Sequence, residues 1–153
     1  MAGSIASAET FAFDDRNIRW HKFGDFKHFV IAMLDVDERR KIVDFIVKFE
    51  PNEQIFLHTH RAAANLFVIQ GEHRIYEPNG EIKTIRPAGS YTASPPGDTH
   101  REGGGNEGAV VFYSFRVDDD ILFDVLDDDL NVAASLRMQE FADALKEQRR
   151  DLS

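Results

Sequence analysis

The sequence predicts an all-β fold, a single-domain jelly-roll β-barrel with a C-terminal α-helix. Three observations lead to this prediction. Short apolar segments recur along the chain with turn residues between them, a pattern typical of a two-sheet jelly roll. Two histidines one residue apart lie between such segments, and a third histidine follows further along. A last stretch with apolar residues on one side predicts the closing helix.

The composition is that of one globular domain, and it excludes several classes of function. The chain has 153 residues, 42% of them hydrophobic, and we expect one domain over residues 1–153. The formal net charge of −9 argues against nucleic acid or an anionic membrane as a partner. The absence of cysteine excludes disulfides and a thiol nucleophile. No apolar run approaches membrane-spanning length, and a cytoplasmic protein is expected.

The first third of the chain predicts a pair of antiparallel strands. Residues 28–34 are almost continuously apolar, residues 37–40 form a polar turn, and residues 42–49 follow as the partner strand. In the partner strand apolar and polar residues alternate, which indicates one face on the core. Residues 19–22 predict a further short strand, and the small, polar residues 1–8 are expected to pack loosely.

The middle of the chain continues as short strands separated by turns. Pro78-Asn79-Gly80 predicts a tight hairpin turn, because Asn-Gly accepts the positive φ values that such turns need. The glycine triplet 103–105 lacks the strand–helix context of a phosphate-binding loop, so a flexible turn is predicted there. The strands predicted around these turns cover residues 54–57, 66–69, 72–76, 82–85, 91–93 and 109–117.

Two acidic triplets and a final helix complete the chain. The triplets 118–120 and 127–129 flank a predicted strand at 121–125, and they lack the spaced ligands and glycine of a calcium loop. We therefore interpret them as solvated turns. Ser135 is predicted to cap a helix running over about 135–149. Its apolar side consists of Leu136, Met138, Phe141, Ala142 and Leu145.

The histidines His58 and His60 are spaced as metal ligands on a strand. Alternate residues of a strand point to the same face, whereas on a helix these two side chains would diverge by about 200°. A third imidazole on a neighbouring strand would complete one face of a coordination sphere, and His100 is the candidate. Imidazole suits Zn, Cu, Fe and Ni, so one divalent metal ion is expected.

The residues around these histidines resemble the two signature motifs of the cupin superfamily, the second at every defining position and the first in part. From Gly89 to His100 the chain reads Gly, five residues, Pro, one residue, Gly, two residues, His, which matches the second motif. The first motif places glycines at its two ends, where Asn52 and Gly71 fall here. Asn also tolerates the positive φ of a turn. Residues 51–115 therefore resemble a cupin, which implies a cupin jelly-roll β-barrel.

The first motif lacks the metal-binding glutamate of cupins. Its position falls at Asn65 when counted from His60 and at Ala64 when counted from Gly71, and neither residue is a carboxylate. We therefore expect a site of three neutral histidines without a charged protein ligand. The alternative is a pocket whose histidines no longer hold a metal, because some cupins lose metal binding.

The other three histidines are expected outside the metal site. His21 and His28 have no partner at ligand spacing, so a surface or internally hydrogen-bonded position is predicted for each. His73 lies just beyond Gly71 among charged residues. A position on the surface or behind the ligands is predicted for it, rather than ligation.

Among cupins, the chain is similar to the small three-histidine dioxygenases typified by the acetylacetone-cleaving (β-diketone) enzyme. The similarity lies in the chain length, the interval from His58 to His100, and the tail from Ile121 with its acidic turn, Ala-Ser pair and final helix. It implies oxidative carbon–carbon cleavage by non-haem Fe(II), with O2 and a small molecule as substrates. Tyr76 and Ser94 stand where an Arg and a Glu of that enzyme are expected, so its polar substrate surroundings do not carry over.

A three-histidine site also constrains the substrate. Without a carboxylate ligand the bound dication keeps its full charge, which favours an anionic chelating ligand such as an enolised β-diketone or hydroxyketone. Strand parity places Phe56 on the face of His58 and His60, whereas the inward face of strand 109–117 stays open. No catalytic side chain is assigned. The candidate pocket residues are Phe56, Asn65, Tyr76, Ser94, Phe112 and Ser114.

Three functions of different class remain open from the sequence. The leading one is an Fe(II)-dependent dioxygenase, the second a metal-binding or ligand-sensing cupin without turnover, and the third an isomerase or lyase. Zinc or nickel is expected to compete for the site during purification, because the affinity order favours both over Fe(II). Residues 43–49 and 55–57 carry apolar side chains toward both faces, so a homodimer or higher oligomer is predicted.

Overall fold

The computed structural model describes residues 10–150, so the expectation for residues 1–8 lies outside the described residues. Over this range the chain forms nine strands and one helix. The strands are β1 (Phe29–Asp37), β2 (Ile42–Phe49), β3 (His58–His60), β4 (Ala63–Tyr76), β5 (Ile82–Pro87), β6 (Tyr91–Ser94), β7 (Thr99–Arg116), β8 (Ile121–Leu126) and β9 (Val132–Arg137). The helix is α1 (Met138–Arg150). The predicted all-β fold with a C-terminal helix is confirmed.

The strands form one curled antiparallel sheet built around β7. The main path runs β1-β2-β7-β3-β8-β9, and β4 also pairs with β7 while carrying β5 and β6 on its other side. β7 therefore borders β2, β3 and β4. This topology brings the short β3, with its two histidines, next to the start of β7 and next to β8.

The glycine triplet 103–105 lies inside β7, and the prediction of a flexible turn there is wrong. Neighbouring backbone presses against two of these glycines, since a side chain at Gly103 would meet the Glu53 carbonyl and one at Gly104 would meet Gly108. Gly71 in β4 has a φ of +79°, and a side chain there would meet the Gly108 carbonyl. The glycines therefore allow long, curved strands to cross closely.

The core lies inside the curl of the sheet and is rich in aromatic rings. The alternation read in β2 is observed, since Val43, Phe45, Val47 and Phe49 are all buried. The Phe45 ring stacks at 5.4 Å, centroid to centroid, on Phe141 of α1. The helix thus closes one side of the curl.

The C-terminal region differs from the prediction at its start. Ser135 lies in β9 rather than at a helix cap, and its hydroxyl donates to Asp124 Oδ1 over 2.7 Å. The helix begins at Met138, where its backbone N–H bonds to the Asp120 carbonyl. Residues 135–137, which the apolar periodicity predicts as the start of the helix, instead belong to β9 and pair with β8.

A glutamine near the end of α1 fixes the helix to β1. The Gln148 side-chain amide donates to the Met33 carbonyl and accepts from the Met33 N–H, both over 2.8 Å. The amide acts as a substitute strand partner where the β1–β2 register shifts. No helix within residues 10–150 has the length and apolar character needed to cross a membrane.

Candidate metal centre

Three histidines meet inside the barrel at the junction of β3 and β7. His58 and His60 lie on the same face of β3, and His58 is the register partner of His100 on β7. The Nε2 atoms of His58 and His60 are 3.2 Å apart. All three side chains are buried, with exposed fractions of 4% or less. The structure therefore brings together the three residues that the sequence proposed as ligands.

A fourth ligand candidate, Glu102, completes the cluster. Its Oε2 lies 2.7 Å from His58 Nε2, 3.4 Å from His100 Nε2 and 3.7 Å from His60 Nε2. One donor atom from each of the four residues lies within 4.8 Å of the others. The expectation of a site with no charged protein ligand is therefore corrected to a candidate site of three histidines and one carboxylate.

Sequence reasoning missed Glu102 because it looked for the carboxylate only at the first-motif position. Asn65 and Ala64, which occupy that position, lie on β4. Glu102 is two residues after His100 on β7 and so shares its face of the strand. The same parity argument that paired His58 with His60 would have found this second pair.

Backbone and side-chain contacts orient two of the imidazoles. His58 Nδ1 donates to the Phe56 carbonyl over 2.9 Å. His100 Nδ1 donates to Asp98 Oδ2 over 2.6 Å, and Lys83 bonds to the other oxygen of Asp98 over 3.0 Å. Each contact directs Nε2 of its ring into the cluster, the usual arrangement behind a metal-binding histidine.

Two buried residues hold the outer oxygen of Glu102. His73 Nε2 lies 2.8 Å from Oε1, and the Tyr113 hydroxyl donates to the same oxygen over 2.5 Å. Of the two positions predicted for His73, on the surface or behind the ligands, the structure shows the second. The side chain is fully buried and its ring stacks on Phe49. With Oε1 engaged, the carboxylate turns Oε2 toward the imidazoles.

Burial and hydrogen bonding set the charges of the cluster. Burial lowers the pKa of His60 to about 4, so this imidazole is neutral at pH 7. Burial alone would raise the pKa of Glu102, but close contacts with the surrounding imidazoles hold it well below its ordinary value. Burial, together with the Glu102 charge, raises the pKa of Tyr113 well above its ordinary value. A neutral imidazole and a carboxylate are the forms that bind a cation.

The geometry of the four donors fits one divalent cation. Donors about 2.0–2.2 Å from a metal and at right angles to one another lie on the order of 3 Å apart. The separations from Glu102 Oε2 to the three imidazoles and between His58 and His60 span 2.7–3.7 Å. His100 Nε2 is buried without a hydrogen-bond partner, as expected of an atom that a cation would occupy.

A small apolar cavity adjoins the cluster on the side of α1. Its volume is about 40 Å³, and its wall includes His58, Glu102 and Tyr113 together with apolar side chains such as Phe56 and Phe141. The Phe56 ring lies 5.1 Å from the His58 ring, centroid to centroid. Of the six candidate pocket residues, Phe56 is the member that lines this cavity.

The other five candidate pocket residues do not line this cavity. Tyr113 and Phe115 are the β7 pair that faces the core, with Phe115 packing at 5.6 Å from the His60 ring. Phe112 and Ser114 therefore point to the other face of the sheet, where Asn65 is paired with Ser114. Tyr76 is buried at the end of β4, and Ser94 lies at the end of β6.

The remaining two histidines make contacts elsewhere. His21 Nε2 lies 2.9 Å from Gln148 Oε1, and His28 Nδ1 lies 2.8 Å from Glu50 Oε2. Neither belongs to the four-residue group that the described part of the chain offers to a metal. Their predicted place outside the site is consistent with these contacts.

Comparison with known proteins identifies the fold. A family model described as the ChrR cupin-like domain matches residues 8–117. An RmlC-like cupin from Ralstonia eutropha is 17% identical with a TM-score of 0.74, over 95% of this chain and 90% of that one. An acetylacetone dioxygenase from Acinetobacter johnsonii is 16% identical with a TM-score of 0.71, over 93% and 94%.

A second Ralstonia eutropha protein, of unknown function and with a cupin-like fold, is 16% identical with a TM-score of 0.73, over 97% of this chain and 90% of that one. At these identities the likeness to solved structures shows the fold. No curated protein matches the sequence.

Proposed function

The chain belongs to the family of ChrR cupin-like domains, and on this premise we propose that it is a non-haem Fe(II) dioxygenase that cleaves a carbon–carbon bond. The proposed substrate is a small β-diketone or hydroxyketone, bound as its enolate. The observation that carries the proposal is the buried four-donor cluster of His58, His60, His100 and Glu102 beside an apolar cavity. The fold likeness to an acetylacetone dioxygenase supports it.

Glu102 lowers the net charge of the metal centre by one, and the centre still favours an anionic substrate. A dication bound to three neutral imidazoles and one carboxylate keeps a net charge of about +1. A singly charged enolate would neutralise this centre, whereas a dianion would overcompensate it in a buried site. Four protein donors also leave about two positions of an octahedral metal for exogenous ligands.

The chain's own residues would bind and orient the reactants. Bound Fe(II) would supply the chemistry of O2 activation and electron exchange with the substrate. Apolar side chains such as Phe56 and Phe141 would exclude water and favour ligands with a neutral body over sugars. Since nearby apolar walls lower the local dielectric, they would strengthen the attraction between the centre and an enolate.

Oxygen uptake by the iron-loaded protein tests this proposal. We expect protein purified without oxygen and loaded with Fe(II) to consume one O2 for each diketone cleaved, with both oxygen atoms ending in the two products. The panel should contain β-diketones and hydroxyketones, with His100→Asn as the control that lacks a ligand. If the wild-type protein binds iron and no member of the panel causes oxygen uptake, the dioxygenase proposal is wrong.

The metal itself needs a separate measurement. We propose Fe(II) as the working metal, while a site rich in imidazole also accepts zinc or nickel, and the affinity order favours both. Metal analysis of protein purified under anaerobic conditions should therefore be compared with that of protein purified in air. Oxygen uptake restored by Fe(II) but not by zinc would support the assignment to iron.

A metal-binding or ligand-sensing cupin without turnover is the second candidate. It is favoured by the cavity volume of about 40 Å³, which is far below the roughly 300 Å³ of typical small-molecule sites. In that case the chain would bind a metal and small ligands, and no substrate would drive oxygen uptake. The oxygen-uptake assay above separates the two candidates.

A homodimer is proposed on the outward face of the sheet. Tyr91, Phe67 and Phe112 are register partners across β6, β4 and β7 and form an apolar row on that face. Tyr91 and Phe67 are 61% and 41% exposed, which is unusual for large apolar side chains in a row. Light scattering at micromolar concentration should give a dimer mass, and Phe67→Glu should shift it to a monomer; a monomer mass for the wild type would contradict the proposal.

A further inference from the structure

We propose that the cavity beside the metal centre is a binding site for one small apolar molecule, and that this molecule is dioxygen. The inference rests on the proposed function for the identity of the ligand. Its structural basis is independent of turnover, because it depends on the volume of the cavity, the chemistry of its wall and its position against His58 and Glu102.

The volume selects a very small ligand. The cavity volume is about 40 Å³, well below the roughly 150 Å³ of a dry protein cavity that holds benzene. A diatomic molecule fits without any movement of the protein. A β-diketone has about seven non-hydrogen atoms, more than benzene, which needs a cavity of roughly 150 Å³, so it does not fit in the described conformation.

The wall of the cavity disfavours water. A buried water needs about two to four polar partners. The polar groups at the wall are already engaged: Glu102 Oε1 contacts His73 and Tyr113, and Glu102 Oε2 lies 2.7 Å from His58 Nε2. The remaining wall is aromatic and aliphatic, so an apolar guest is favoured there.

The position of the cavity gives the guest a role. His58 and Glu102 belong to the cavity wall, whereas His60 and His100 do not. A molecule in the cavity therefore lies next to the His58–Glu102 edge of the four-donor cluster. We infer that dioxygen is stored at this edge and that the ketone enters from elsewhere or after the wall has moved.

Relaxation of methyl protons by dissolved O2 tests the site directly. O2 is paramagnetic, and it speeds the relaxation of methyl groups that it contacts. With O2 gas as the probe and zinc-loaded or metal-free protein, Ile31 and Val47 at the cavity should relax several-fold faster than Val43. Val43 is as fully buried but does not line the cavity, so it is the matched internal control.

Two Val→Leu substitutions on the same strand test whether the O2-induced relaxation at Ile31 comes from the cavity. Val47→Leu adds one methylene group at the cavity wall and should reduce the O2 effect at Ile31 to the level of Val43. Val43→Leu adds the same group on the same strand away from the cavity and should leave the effect at Ile31 unchanged. If Val47→Leu fails to fold, Val47→Ala should enlarge the cavity and increase the effect at Ile31.

The outcomes separate this inference from the proposed function. Equal O2 effects at Ile31 and Val43 in the wild type, or an effect that Val47→Leu leaves unchanged, overturn the inference. An O2 effect confined to the cavity in a protein that never consumes oxygen supports the binding site and contradicts the dioxygenase proposal. In an active enzyme, Val47→Leu should raise the KM for O2 more than the KM for the ketone.

Discussion

The Tyr113 hydroxyl donates a hydrogen bond to Glu102 Oε1 over 2.5 Å, although both residues lie on β7, eleven positions apart. The contact exists because β7 curves between them, where Gly104 and Gly108 approach closely. The strand thus supplies a candidate ligand at one end and the donor that orients this ligand near the other.

Tyr113→Phe tests this contact. It removes the hydroxyl while keeping the ring, so Glu102 loses one of the two donors to Oε1. Partners of this type affect metal affinity by about 10–100-fold, and we expect a rise in the dissociation constant for zinc within that range. Competition with a chromophoric chelator measures it. Tyr91→Phe, on an exposed tyrosine, is the matched control, and equal affinities of the two variants would show that Tyr113 does not orient the carboxylate.

Glu102→Gln distinguishes a three-histidine site from one that includes the carboxylate. The amide has nearly the same shape but no charge, so the net charge of the centre rises by one. If Glu102 is a ligand, zinc affinity should fall by at least the roughly 100-fold that marks the upper range for supporting residues. The absorption spectrum of the cobalt-loaded variant should change as well. An unchanged spectrum and affinity would restore the original expectation of three histidines alone.

Strand parity and motif spacing predict part of the four-donor cluster from the sequence. The alternation of His58 and His60 and the second motif ending at His100 were sufficient to place three donors on adjacent strands, and the structure unites them. Glu102 obeys the same parity, but the first cupin motif places the carboxylate at another position, so motif spacing alone does not lead to Glu102. His73 was not recognisable as its partner, because only the β4–β7 pairing brings His73 close to Glu102.

Long-range pairing accounts for the errors in the fold. The glycine triplet 103–105 resembles a turn locally, yet close backbone crossing makes it part of β7. Ser135 resembles a helix cap, yet β8 draws it into a strand and Asp124 accepts its hydroxyl hydrogen bond. By contrast, Asn52 takes the place of a motif glycine because Asn tolerates the positive φ of a turn, and its φ is +59°. The sequence therefore indicates local backbone preferences, whereas it does not indicate contacts between segments that are distant along the chain.

The metal-free protein should lose stability as the pH falls from about 6.5 to about 4. The pKa of His60 is lowered to about 4 by burial, so in this interval the unfolded chain binds a proton that the folded chain does not. The free energy of unfolding therefore falls with falling pH, by about 1.4 kcal/mol per pH unit for one such group. Burial also lowers the pKa of His73, which adds in the same direction.

His100 does not oppose this trend within the interval. Burial alone would lower its pKa, but Glu102 and Asp98 raise it above its ordinary value, so His100 is protonated in both states below about 6.5. Urea unfolding of chelator-treated protein at several pH values measures the slope. His60→Asn should reduce the dependence of the unfolding free energy on pH by the contribution of one proton, about 1.4 kcal/mol per pH unit. A pH dependence equal to that of the wild type would refute the role of His60.

Phe56→Ala should widen the cavity while leaving the metal centre intact. The Phe56 ring forms part of the cavity wall and packs against Phe26 with a centroid separation of 4.5 Å. Since Phe56 is only half-buried, we expect a loss of about 2–3 kcal/mol in unfolding free energy, below the range for a fully buried Phe. The dissociation constant for zinc should stay near that of the wild type, whereas bulky aryl diketones should gain affinity relative to small ones.

Phe26→Ala, on a half-buried phenylalanine that does not line the cavity, is the matched control for Phe56→Ala. An identical ligand preference in the two variants would mean that the ketone does not use this cavity even when the cavity has been widened.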